Sequence, residues 1–124
     1  MTGDPVAVLI VDDQAPFRRA AKAVVAATPG FDVVGEAESG EAAVTMVDEL
    51  APGLVLMDIN MPGINGIEAT RRITKAHPET LVMLLSTYRA DDLPGDAKDC
   101  GAAAYVNKEE FAPSVIQDLW AKHH

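Results

Sequence analysis

The sequence predicts an α/β fold in which a doubly wound, five-stranded parallel sheet carries helices on both faces. Two observations carry that prediction. Apolar runs begin near Val6, Val33, Leu54, Leu81 and Ala103, separated by 27, 21, 27 and 22 residues, which is the rhythm of repeated strand–helix units. Between the runs, apolar residues recur at helical spacing and stop at Pro or Gly, so each intervening segment buries one stripe and then turns.

The first run, Val6 to Val11, ends on Asp12-Asp13. The helix that follows, starting near Ala15, gathers Phe17, Ala20, Ala21, Val24 and Val25 on one face and is closed by Pro29-Gly30. After the second strand, Ala42, Ala43, Met46, Val47 and Leu50 form the next stripe, with Ser39 as candidate N-cap and Pro52-Gly53 as the stop. The third run, Leu54-Val55-Leu56-Met57, has no alternation. That suits a strand covered on both faces, although a buried helical turn shares the pattern. A third stripe uses Ile64, Ile67 and Ala69 to Ile73 and closes at His77-Pro78. The fourth run, Leu81 to Leu85, stops at Ser86-Thr87, and the fifth, Ala103 to Val106, leads straight into Asn107-Lys108.

The segment from Arg89 to Gly101 occupies the place of a fourth helix but resists one. Inside a helix Pro94 forfeits a hydrogen bond, and Gly95 costs about 1 kcal/mol relative to Ala. A short or irregular helix is expected there, and the largest mobility in the domain.

Composition sets the context. At 124 residues and 48% hydrophobic, the chain reads as one domain, residues 1–124, with one core. Ten Lys and Arg against 19 Asp and Glu give a formal net charge of −9, which repels nucleic acid and anionic membranes. Direct nucleic-acid binding by this chain is therefore not expected. The lone Cys100 makes no internal disulfide, the first residues lack the charge and apolar length of a signal peptide, and no apolar run approaches a membrane span. A cytoplasmic protein is the expectation. Cys100, His77 and Trp120 are assigned to packing or surface, since no metal-ligand spacing surrounds them.

The chemistry is concentrated where the strands end. Asp58 closes a buried-looking run with a carboxylate, whose burial without a partner costs several kcal/mol or shifts its pKa until it is neutral. It therefore needs solvent, a cation, or both. In doubly wound sheets ligands sit outside the carboxyl ends of the strands, and there Asp58 meets Asp12 and Asp13. Clustered acids call for a positive partner, and Mg²⁺ favours such oxygen donors. The alternative is that Asp12-Asp13 simply caps the helix starting near Ala15. Ser86 as a turn hydroxyl and Lys108 as a solvated lysine would likewise be ordinary alone. Together with the acids, they supply what aspartyl phosphorylation requires: a nucleophile, a cation site, and donors for phosphoryl oxygens.

Asp12-Asp13, Asp58 within "MDINMPGINGIEA", Ser86-Thr87, Tyr105 and Lys108, in this order and spacing, resemble the receiver domain of bacterial two-component response regulators over essentially the whole chain. "LLSTY" and "GAAAYVNKE" lean towards the NarL/FixJ subfamily, whose members commonly carry a helix-turn-helix output domain. The resemblance implies a flavodoxin-like fold and a phosphoacceptor switch rather than an enzyme. It implies that Asp58 receives a phosphoryl group from a sensor histidine kinase or histidine phosphotransferase, and that Mg²⁺ is held by Asp13, Asp58 and the main-chain carbonyl of Asn60, with Asp12 acting through water. It further implies that Lys108 and Ser86 contact phosphoryl oxygens with the Thr87 amide close by, that Tyr105 is the switch aromatic, and that Asn60 and Tyr88 adjust phosphoryl lifetime. Homodimerisation through the face of the fourth helix, fifth strand and last helix also follows from it. One departure is Glu109, where many receivers carry a proline after a cis bond; before a non-proline residue that bond costs about 3–4 kcal/mol. Two other classes compete: a receiver-like binding module that is not phosphorylated, and a phosphohydrolase using Asp58. The second usually needs another acid two residues after the nucleophile, where this chain has Asn60.

Overall fold

The structure, a computed structural model, describes residues 4–87 and 99–123. Five parallel strands form one sheet in the order β2-β1-β3-β4-β5: β1 Val6–Val11, β2 Phe31–Ala37, β3 Leu54–Asp58, β4 Leu81–Ser86 and β5 Ala104–Asn107. Helices α1 (Ala15–Ala26), α2 (Gly40–Leu50), α3 (Gly66–Ala76) and α4 (Pro113–His123) are described, with a 3-10 turn at Lys108–Glu110. The predicted doubly wound sheet is present. The doubtful helical segment and Tyr88 lie outside the described residues, apart from Asp99 to Gly101.

The sheet works as a two-sided core. Leu9, Val11, Val55, Met57, Val82 and Leu84 pack with α2 and α3 on one face, while Val8, Ile10, Leu54, Leu56, Met83 and Leu85 pack with α1 and α4 on the other. This is why β1, β3 and β4 read as continuous apolar runs, since alternate side chains enter opposite layers and both layers are dry. The edge strand β2 instead alternates and contains a bulge: Val8 pairs with Val33 and Leu9 with Gly35, leaving Val34 unpaired and outward. It begins at Phe31, two residues before the predicted start, because exposed Asp32 interrupts its apolar pattern.

Helix ends follow local chemistry. Ser39 caps α2, its hydroxyl accepting from the Ala42 amide at 3.1 Å, as expected. Asn65 caps α3, accepting from the Glu68 amide at 2.9 Å; Ile64 therefore precedes the helix rather than belonging to its stripe. Helix α2 ends with Ala51 in the left-handed region, φ 46°, a position that favours Gly. Trp120 and His77 have the expected structural roles. The Trp120 ring stands edge-on to Phe31 at 5.8 Å, and His77 Nε2 lies 2.6 Å from Asp48 Oδ1, tying α3 to α2. No helix among the described residues is long and apolar enough to cross a membrane.

Candidate functional site

Strands β1 and β3 are neighbours in register, with Val11 beside Met57, so Asp12 and Asp58 emerge side by side. Asp12 is fully buried and Asp58 is 5% exposed, whereas Asp13 faces solvent. One oxygen from each of the three carboxylates falls within 4.8 Å of the others. Burial of Asp12 is tolerated because both of its oxygens are engaged: Oδ1 accepts from the Gln14 amide at 2.8 Å, and Oδ2 accepts from Lys108 Nζ at 2.7 Å. The same ammonium lies 3.3 Å from Asp58 Oδ1. From α1, Arg18 Nη1 donates to the Asp12 carbonyl at 2.7 Å while its other nitrogens reach Glu36 and Glu38, fixing the turn after β1 against β2.

The two acids therefore share one lysine, and Asp58 is the less well compensated. Its pKa is pushed up to about 6, first by burial and then by the Asp12 charge, against the opposing pull of Lys108 and a hydrogen bond from the Asn60 amide. A carboxyl in this condition gains from any further cation at the mouth.

The turn after β3 is built to approach closely. The Gly66 amide donates to the Ile59 carbonyl at 2.9 Å, and a Cβ at Gly66 would fall on the Asp58 carbonyl oxygen and within 3.0 Å of Ile59 Cα. Only glycine lets α3 start directly behind the acid. On the far side of the loop, Glu41 accepts from the Ile64 amide at 3.3 Å.

Strand β4 delivers Ser86, buried and level with Asn107 of β5, followed by exposed Thr87. Gln14, Asp58, Asn60, Thr87 and Lys108 line a cavity of about 170 Å³. That is room for a phosphoryl-sized group and a few waters.

The structure thus brings Asp12, Asp13, Asp58, Asn60, Thr87 and Lys108 to one mouth, with Ser86 at its β4 side. Tyr105, beside Leu84 on β5, is 36% exposed and stands apart from the cavity lining. Its phenol pKa is raised by partial burial, then by Cys100 and Asp99. Capping does not account for the acidic pair: Asp12 Oδ1 does accept from the amide of Gln14, the N-cap of α1, but no acid lies in the first turn of that helix and Asp13 faces solvent. Nor is Lys108 a solvated surface lysine, its side chain being 15% exposed. Among the described residues all peptide bonds are trans, and Glu109 enters a 3-10 turn in which its amide donates to Asn107 Oδ1 at 2.8 Å.

Sequence reasoning missed Arg18, Glu41 and the second role of Phe17, whose ring face lies beneath Lys108 with Nζ 4.3 Å from the centroid. Only Arg18 left a trace in the sequence, as a cation one turn after two acids in an acidic chain.

Comparison with known proteins places this geometry. A family model described as the response regulator receiver domain matches residues 8–119. The response regulator GacA of Pseudomonas protegens is 41% identical over 112 residues, covering 90% of this chain and 53% of that protein. The transcriptional regulatory protein DegU of Brevibacillus brevis is 38% identical over 110 residues, covering 89% and 47%. The chain spans about half the length of these relatives. Among solved structures, the response regulator domain of Thermotoga maritima CheB superposes with a TM-score of 0.83 at 32% identity, covering 94% of this chain and 95% of that one. The receiver domain of the putative response regulator NarL from Mycobacterium tuberculosis gives 0.85 at 25%, covering 95% and 98%. With its sheet order, its acidic mouth and this match across nearly its whole length, the chain belongs to the family of response regulator receiver domains, the phosphoacceptor switches of two-component signalling.

Proposed function

We propose that residues 1–124 act as one switch in which Asp58 accepts a phosphoryl group from the phosphohistidine of a sensor histidine kinase or histidine phosphotransferase. The observation that carries this is the position of Asp58: it is the carboxylate that borders the cavity, and it does so beside a lysine and two further acids. In the transfer a carboxylate oxygen of Asp58 bonds to phosphorus as the phosphorus–nitrogen bond to the donor imidazole breaks. Lys108 would meet one phosphoryl oxygen, Ser86 would donate to another, and Thr87, which lines the cavity, would offer its amide.

The donor set fits Mg²⁺, which favours hard oxygen ligands, keeps several waters and tolerates a half-open site. Asp13, Asp58 and the Asn60 carbonyl would hold it, with Asp12, already bound to Lys108, acting through water; it would offset charge on the phosphoryl oxygens. The domain is read as a signalling switch and not as a free-standing enzyme, and a cytoplasmic location accompanies that reading. Tyr105 is assigned the role of switch aromatic, with Ser86 and Thr87 as the residues it follows. Homodimerisation would use the side of the domain that carries β5 and α4; the expected fourth helix of that face lies outside the described residues. An unphosphorylated binding module would not need this set of acids, hydroxyl and ammonium.

Incubation with acetyl phosphate and Mg²⁺ is expected to add a single acid-stable, base-labile phosphoryl group, and chelation is expected to stop the reaction. Labelling of Asp58→Ala at the wild-type level would overturn the assignment.

A further inference from the structure

Lys108 leaves β5 at the first residue of the 3-10 turn, and its flexible stem allows many positions for the ammonium. Three contacts select one. Asp12 Oδ2 lies at 2.7 Å, Asp58 Oδ1 at 3.3 Å, and the centroid of the Phe17 ring at 4.3 Å. The first two contacts are with carboxylates that a divalent cation at the mouth would also attract, and such a cation would itself repel the ammonium. A neutral ring has no charge to surrender, and its quadrupole attracts a cation within about 6 Å whatever the acids are doing.

Phe17 is itself well held. It sits in the first turns of α1, half-buried against the α1–α4 layer, and its ring lies 6.5 Å from that of Phe111 at an angle of 42°. Phe111 directly follows the turn that Lys108 begins. One aromatic pair therefore joins the helix after the acidic pair to the segment after the lysine.

We propose that Phe17 is a positioning residue for Lys108, its ring face keeping the ammonium at the cavity when the acids are engaged elsewhere. The proposal rests on Asp58 as phosphoacceptor and adds the anchor that a shared, all-acidic environment does not provide. A purely structural Phe17 would fill space and nothing more, so the variants compare shape with π-face. Phe17→Leu keeps apolar bulk and loses the face; Phe17→Tyr keeps both.

The test uses the 124-residue chain with beryllofluoride as phosphoryl mimic at saturating Mg²⁺. Phe17→Leu is expected to bind beryllofluoride roughly 2- to 30-fold more weakly than wild type, with Phe17→Tyr within about two-fold, the span set by exposed and desolvated cation–π contacts. Mg²⁺ affinity without the mimic is expected to be no weaker in either variant. In wild type the Lys108 ε-methylene protons, next to an ammonium held over the ring, are expected upfield of ordinary lysine. Wild-type binding by a folded Phe17→Leu, or ordinary ε-methylene shifts in wild type, would overturn the proposal. The shift measurement needs no variant and so decides even if Phe17→Leu fails to fold. Wild type that ignores beryllofluoride altogether would instead remove the phosphoacceptor reading, and this proposal with it.

Discussion

At Asp58 the fold opposes its own charge, and Asp58→Asn measures by how much. Burial, and then Asp12, raise this carboxyl from 3.8 to about 6. It therefore binds its proton more tightly folded than unfolded, so the folded chain holds more protons between about pH 4 and pH 6, and stability falls as pH rises through that window. At ~1.4 kcal/mol per pH unit the penalty is about 3 kcal/mol, fully present above about pH 6 and absent below about pH 4. An amide escapes it but leaves Lys108 with one anion fewer. Asp58→Asn is accordingly expected to be more stable than wild type by about 1–3 kcal/mol near pH 7.5, the gain fading towards zero by about pH 4. Urea unfolding of both proteins across this range, with chelator present, supplies the difference and cancels the other titrating groups. A difference flat with pH, or a wild type more stable at neutral pH, would refute the reasoning.

Other substitutions probe the supports of the mouth. Gly66→Ala places a methyl on the Asp58 carbonyl and is expected to cost about 2 kcal/mol or more in urea unfolding, through displacement of α3. Lys108→Ala leaves buried Asp12 without its ammonium and is expected to cost about 1–3 kcal/mol without metal; added Mg²⁺ should then raise its Tm by more than that of wild type. Ala51→Gly relieves a left-handed backbone position and is expected to stabilise by roughly 0.5–1 kcal/mol, read from the urea midpoint.

The sheet was legible because its central strands are dry on both sides, which leaves an uninterrupted apolar run as their signature. Asp58 was legible for the related reason that a charge ending such a run demands an explanation. Local patterns failed where contacts are distant or backbone-borne. Lys108 and Asp12 are 96 positions apart, so their direct pairing leaves no local trace, and only its consequence, a lysine at a strand end, could be read. Periodicity placed Phe17 on the buried face of α1 but says nothing of a ring face turned to a cation. Ile64 joined the helical stripe by spacing, yet Asn65 caps the helix after it, and a cap outranks an apolar position. The closeness of Gly66 to the Asp58 backbone is a property of the assembled site.

The central claim is that Asp58, among three adjacent carboxylates, is the one that takes the phosphoryl group. Borohydride reduces an aspartyl phosphate to homoserine and leaves free carboxylates untouched, so treating the acetyl phosphate-labelled chain and sequencing its peptides by mass spectrometry locates the acceptor. Homoserine at position 58, and at neither 12 nor 13, is the predicted result. Homoserine at position 12 or 13, or at none of the three, would contradict the account.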